Sequence, residues 1–249
     1  MNWLPVLFVA GTVAGWIDSI AGGGGLITVP VLLSFGLPPA VALGTNKLQG
    51  VFGSGSATWH YGRAELIDFN AASTGVVFTA IGAIAGAVAV QHLRPDFLRE
   101  VIPFLLIAIA VYFLFRPTLG DVDAIPRWKA GAFYLVLGLL LGFYDGFFGP
   151  GTGSFWAMAY VLLLGFNLTK ATAHTKLMNF TSNAASLAMF LIGGKVQWLA
   201  GLTMGVGELL GAWLGAKIVI RRGARFIRPV FIVVVLAITA RLVITSLGR

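Results

Sequence analysis

Asp18-Ser19-Ile20-Ala21-Gly22-Gly23-Gly24-Gly25 and Asp145-Gly146-Phe147-Phe148-Gly149-Pro150-Gly151-Thr152-Gly153 each set a carboxylate a few residues ahead of a glycine-rich break in apolar sequence. The runs after the breaks, residues 26–36 and 153–165, are apolar but too short to cross a bilayer, which takes about 20 residues. Helices that stop and restart in this way are discontinuous or re-entrant. Membranes tolerate them only where the bared backbone lines a cavity or packs inside protein.

Further apolar segments lie at 4–20, 39–60, 70–91, 97–115, 129–148, 168–191, 197–220 and 226–247. Of the 249 residues 58% are hydrophobic and 10% charged, against roughly 25% charged in a soluble domain. That composition excludes a water-soluble globule and leaves no room for a soluble catalytic domain. The expected fold is an all-α polytopic membrane protein with on the order of eight to ten spans. Met1-Asn2-Trp3-Leu4-Pro5 lacks the basic start of a signal peptide and reads as the opening of a retained first helix. The absence of cysteine excludes disulfides, thiolate chemistry, zinc–sulfur sites and iron–sulfur clusters. A net charge of +8 points to cytoplasmic loops and anionic lipid rather than nucleic acid.

The long polar connection at 116–128, with Pro117, Gly120, Asp121, Asp123 and Pro126, divides the chain into a first repeat, 1–115, and a second, 129–249. Asp18 aligns with Asp145 at an offset of 127 (145 less 18), Lys47 with Lys176 at 129, and Gly62-Arg63 with Gly194-Lys195 at 132. A drifting offset with conserved order is what duplication followed by loop insertions leaves. With the Arg221, Arg222, Arg225, Arg228 cluster inside and Lys47 and Lys176 left out, inverted repeats put ten Lys and Arg inside and five outside; parallel repeats give eight and seven. The charge distribution favours two inverted repeats, each with its glycine-broken helix near the midplane, and both termini away from the cytoplasm.

Lys47 and Lys176 each lie about eight residues into an apolar segment, roughly 12 Å deep. An ammonium there costs roughly 2.5–3.5 kcal/mol on insertion scales and normally faces a polar cavity. Because the type recurs in both halves beside Thr45, Asn46, Gln49, Thr175 and Asn179, the pattern suggests an anion site; the plainer reading is snorkelling or ion pairs with Asp18 and Asp145. Gly22, Gly23, Gly24, Gly25, Gly149, Gly151 and Gly153, with Thr152, bare the backbone where a helix begins, a natural anion seat. Close helix packing is the alternative, and the better one for Gly82/Gly86 and Gly207/Gly211/Gly215. No Gly-Lys-Ser/Thr follows either break, so this is no nucleotide loop.

Asp18, Asp145 and Glu208 are candidate proton carriers, with structural capping or pairing as the plainer account. Glu208, whose first-half counterpart falls near Val76, breaks the repeat symmetry. His174 replaces Thr45 in the repeat, and with His60 and His92 the only other histidines, a multi-histidine metal site is not expected. No hydrolase arrangement stands out, and neither an enzyme nor a cofactor is expected.

Asp18-Ser19-Ile20-Ala21-Gly22-Gly23-Gly24-Gly25-Leu26-Ile27-Thr28-Val29-Pro30, followed by Gly44-Thr45-Asn46-Lys47-Leu48-Gln49, resembles the sulfite exporter TauE/SafE family of bacterial membrane proteins. Tyr144 through Gly153, followed by Thr175-Lys176, is similar to that family's second motif. The resemblance implies a multi-pass inner-membrane transporter moving sulfite, sulfoacetate or related organosulfonates without ATP. The leading expectation is a secondary transporter working by alternating access on a small anion, with protons as candidate partner and a homo-oligomer admissible. An uncoupled channel or uniporter and a structural membrane subunit stand as alternatives.

Overall fold

The computed structural model describes residues 3–94 and 122–223 together with Phe97 and Phe226. The expected segments 97–115 and 226–247 therefore lie almost wholly outside the described residues. The rest form eight helices: α1 (Leu4–Ala21), α2 (Gly25–Ser34), α3 (Pro39–Arg63), α4 (Phe69–Gln91), α5 (Ala130–Phe147), α6 (Thr152–Leu164), α7 (Leu168–Ile192) and α8 (Trp198–Arg222). No strand occurs among the described residues. Four helices, α1, α4, α5 and α8, are long and apolar enough to cross a membrane. The 25-residue α3 and α7 are as long but carry the lysines and an inward row of amides and hydroxyls.

Starts and stops follow local chemistry. Pro5 and Pro39 occupy first turns, where a missing N–H costs nothing. Asp68 accepts from Ala71 N–H, and Asn167 from Lys170 N–H, capping α4 and α7. The breaks require glycine: Gly22 has φ +70°, Gly149 +98° and Gly151 +87°, which a side chain would strain.

After each break the chain folds back. Trp3 at the start of α1 meets Phe35 at the end of α2, with ring centroids 6.0 Å apart. In the second half Phe133 meets Tyr160 and Tyr144 meets Phe155, so α5 and α6 also run antiparallel as a hairpin. The closest helix pairs are knitted by glycine. Gly11 and Gly15 of α1 lie against Met204 and Glu208, while Gly211 and Gly215 of α8 lie against Thr12 and Trp16, so α1 and α8 are parallel. Gly82 and Gly86 of α4 interlock with Gly138, Gly142 and Gly146 of α5, again in parallel. Such approaches replace the hydrophobic effect, which is absent between helices in lipid, with backbone contact.

Exchanging α1–α4 for α5–α8 maps the main packed pairs onto one another: α1·α8 becomes α5·α4, α3·α8 becomes α7·α4, and α3·α7 maps to itself. Across α3·α7, Gly44 meets Phe190, Gly50 meets Asn183 and Gly55 meets Phe180, an antiparallel register. The same exchange corrects the expected counterpart of Glu208. Gly211 and Gly215 take the contacts on α1 that Gly82 and Gly86 take on α5, an offset of 129 (211 less 82), which pairs Glu208 with Thr79 and not Val76.

Candidate functional site

The two hairpin tips touch. A Cβ on Gly22 would lie 2.6–2.8 Å from the backbone of Gly153 and Ser154, and Ser154 Oγ donates to the carbonyls of Ala21 and Gly22, both at 2.8 Å. Ending two helices here leaves carbonyls without helical partners, and side chains supply them. Tyr61 donates to Ser19 O at 2.8 Å, Tyr144 to Pro150 O at 2.7 Å and Thr152 Oγ1 to Gly149 O at 2.6 Å.

The lysines complete that work reciprocally. Lys47, from the first half, donates to the carboxylate of Asp145 in the second at 2.6 Å and to its carbonyl at 2.5 Å. Lys176, from the second half, donates to the carboxylate of Asp18 in the first at 3.1 Å and also to its carbonyl. Each lysine thus neutralises the acid ahead of the other half's break and satisfies the end of that helix. Asp18 Oδ1 also accepts from the N–H groups of Gly23 and Gly24, at 3.0 and 3.2 Å.

A small polar cavity of about 40 Å³, enough for a few waters, lies at this junction. Of the expected site residues, Asp18, Gly23, Gly24, Gly25, Asn46, Asp145, Gly149, Gly151, Thr152, Gly153, Asn179 and Glu208 line it. Lys47 and Lys176 stand behind its wall. Gly22 serves the contact between tips. Thr45 accepts from Gln197 N–H, Gln49 donates to Asn46, and Thr175 bonds its own helix, none of them on the cavity. His174 donates from Nδ1 to Lys170 O and accepts at Nε2 from Asp68 N–H, away from the junction. Among the described residues no group of three or more acids or histidines could hold a metal ion.

Gly50, Asn183 and Ser182 belong to the site and were not expected. Gly50 and Asn183 line the cavity, and Ser182 Oγ donates to Asp145 Oδ2. Helical spacing carried the signal, since Asn179 and Asn183 fall three and seven residues after Lys176, on its face. The N–H groups of Gly25 and Gly153, at the starts of α2 and α6, donate to nothing in the described protein. Glu208, 5% exposed and with its carboxyl over Gly53, has no ion-pair or hydrogen-bond partner among the described residues.

Residues 7–242 match the family model described as Sulfite exporter TauE/SafE. The chain is 47% identical over 246 residues to the probable membrane transporter protein YfcA of Escherichia coli K12, covering 99% of this chain and 91% of that one. It is 49% identical over 239 residues to the probable membrane transporter protein ORF9 of Sinorhizobium sp, covering 96% and 92%. The probable membrane transporter protein YunE of Bacillus subtilis is 25% identical over 238 residues, covering 86% and 87%. No solved structure matches.

Proposed function

The chain belongs to the sulfite exporter TauE/SafE family, and on that premise we propose that it exports a small sulfur-containing anion, such as sulfite, sulfoacetate or a related organosulfonate, across the inner membrane. The coarse statement, a multi-helix membrane transporter, rests on the family and on the four apolar helices. The observation that carries the finer reading is the pair of ion pairs exchanged between the halves at two touching helix breaks. A site built at the repeat interface from broken helices and free helix N-termini suits an anionic substrate and a carrier that rocks one half against the other.

The halves, 1–115 and 129–249 joined by 116–128, are read as inverted repeats. A two-fold operation relating two antiparallel helices has its axis perpendicular to them, and α3 and α7 are equivalent and antiparallel. With helices upright that axis lies in the membrane plane. The fold-back of α2 on α1 and α6 on α5 supports re-entrant hairpins, one from each face. With the Arg221, Arg222, Arg225, Arg228 cluster taken as cytoplasmic, both termini are read as facing away from the cytoplasm.

Export of an anion is favoured by the inside-negative potential, by roughly 2.3 kcal/mol per charge per 100 mV. Glu208 is the best-placed proton carrier, being an unpaired carboxyl on the cavity, whereas Asp18 and Asp145 are engaged by lysines and His174 by backbone. The test is sulfite flux from proteoliposomes under separately imposed voltage and pH gradients. Flux that follows both supports the coupled carrier; flux that follows voltage alone supports uniport; no flux from folded protein refutes transport of this anion.

A further inference from the structure

The two ion pairs are equivalent by the repeat but not by environment. Asp145 is spent: Lys47 takes Oδ1 at 2.6 Å, Ser182 takes Oδ2, and the two side chains are 1% and 5% exposed. Asp18 holds its loop with Oδ1 alone and touches Lys176 through Oδ2 at 3.1 Å, and its side chain is 20% exposed, toward the cavity. Releasing Lys176 costs Asp18 the contact at Oδ2 and the bond to its carbonyl, but that carbonyl keeps the Gly22 N–H and Oδ1 keeps Gly23 and Gly24. Releasing Lys47 would leave the Asp145 carboxylate, 5% exposed, with Ser182 alone, and its carbonyl with no donor among the described residues.

Unfilled hydrogen-bonding capacity gathers on the same side. The side-chain amide oxygen of Asn179, a residue 6% exposed on the cavity wall, has no hydrogen-bond partner among the described residues, so the amide is not anchored at its oxygen and can turn its N–H groups to a ligand. A Cβ on Gly153 would lie 2.8 Å from Asn179 Nδ2, 2.9 Å from Gly22 Cα and 3.5 Å from Lys176 Nζ, and the Gly153 N–H has no acceptor among the described residues. An ammonium, an amide and a backbone N–H therefore gather beside Gly153, on the cavity wall.

We propose that Lys176 alone receives the anion, in exchange for Oδ2 of Asp18, with Asn179 and the Gly153 N–H as its co-donors, while the Lys47–Asp145 pair is a fixed strut. The ligand class is a compact oxyanion or sulfonate, whose oxygens can face three donors at once. This assignment deepens the anion-transport reading and rests on it.

The experiment measures binding of sulfite, sulfate, thiosulfate and sulfoacetate to the purified full chain, with monodispersity and thermal unfolding as folding controls. Asp18→Asn keeps an acceptor for Gly23 and Gly24 but removes the competing charge, so it should tighten binding several-fold. Lys176→Met/Asp18→Asn, which removes the pair neutrally, should weaken binding about ten- to a hundred-fold, the loss of one charge-assisted hydrogen bond. Weaker binding by Asp18→Asn, or full binding by the Lys176→Met/Asp18→Asn variant, overturns the assignment while leaving anion transport standing. A folded wild-type protein that binds none of the four anions overturns the transport reading itself.

Discussion

Replacing Lys47 by alanine should unfold the junction from its most buried point. Asp145 loses the ammonium's 2.6 Å contact at Oδ1 and its 2.5 Å contact at the carbonyl, and the carboxylate, 5% exposed, is left with Ser182 alone. Removing one partner of a buried pair costs about 3–5 kcal/mol, because the survivor keeps its desolvation without its counter-charge. At about 2–4 °C per kcal/mol for a chain of this size, the melting temperature should fall by about 6–20 °C. Lys47→Met/Asp145→Asn removes both charges and should recover most of that loss, since neutral replacement of a buried pair is often tolerated. Tryptophan fluorescence during a thermal ramp in detergent reads both variants. A Lys47→Ala protein melting within about 2 °C of wild type, or a double variant falling as far as the single one, would refute the strut.

Other perturbations reach separate parts of the account. Glu208→Gln keeps the shape of the carboxyl over Gly53 but cannot carry a proton, so proteoliposome flux should lose its dependence on a pH gradient while sulfite affinity is unchanged. Single cysteines at positions 63 and 195, clean to label because the chain has none of its own, should react oppositely with an impermeant reagent applied to intact cells; equal labelling would end the inverted arrangement. Gly146→Val places side-chain atoms on the backbone of Ala83 and should separate α4 from α5, read as loss of a monodisperse species in size-exclusion chromatography.

Much of the fold is legible because its signals are local. The glycine runs at 22–25 and 149–153 mark the breaks, and the apolar segments anticipate α1–α8 to within a few residues. The matching order of Asp18/Asp145 and Lys47/Lys176 in the two halves is visible in the sequence as well. What could not be read is which acid each lysine meets. Lys47 pairs 98 residues away and Lys176 158 residues away, and either acid satisfies charge balance on paper. Helix crossing decides it, and crossing depends on glycine contacts such as Gly15 on Glu208 that no periodicity encodes. Thr45, Gln49, Thr175 and His174 fell to the same gap: their neighbours along the chain are the lysines, while their partners in space are backbone and Asn46. The residue count along the two halves puts the counterpart of position 208 near Val76, whereas Gly211 and Gly215 register against α1 and select Thr79.

The central claim, that this chain carries an anion through the junction rather than merely conducting or scaffolding, is tested most directly by tracer counterflow. Proteoliposomes loaded with unlabelled sulfite and diluted into a trace of labelled sulfite should accumulate label transiently above equilibrium, because a carrier exchanges bound substrate while a channel only dissipates it. Lys176→Ala, with the ammonium facing the cavity wall removed, should lose that overshoot. Label that rises only to equilibrium, or an overshoot undiminished in Lys176→Ala, would contradict the account.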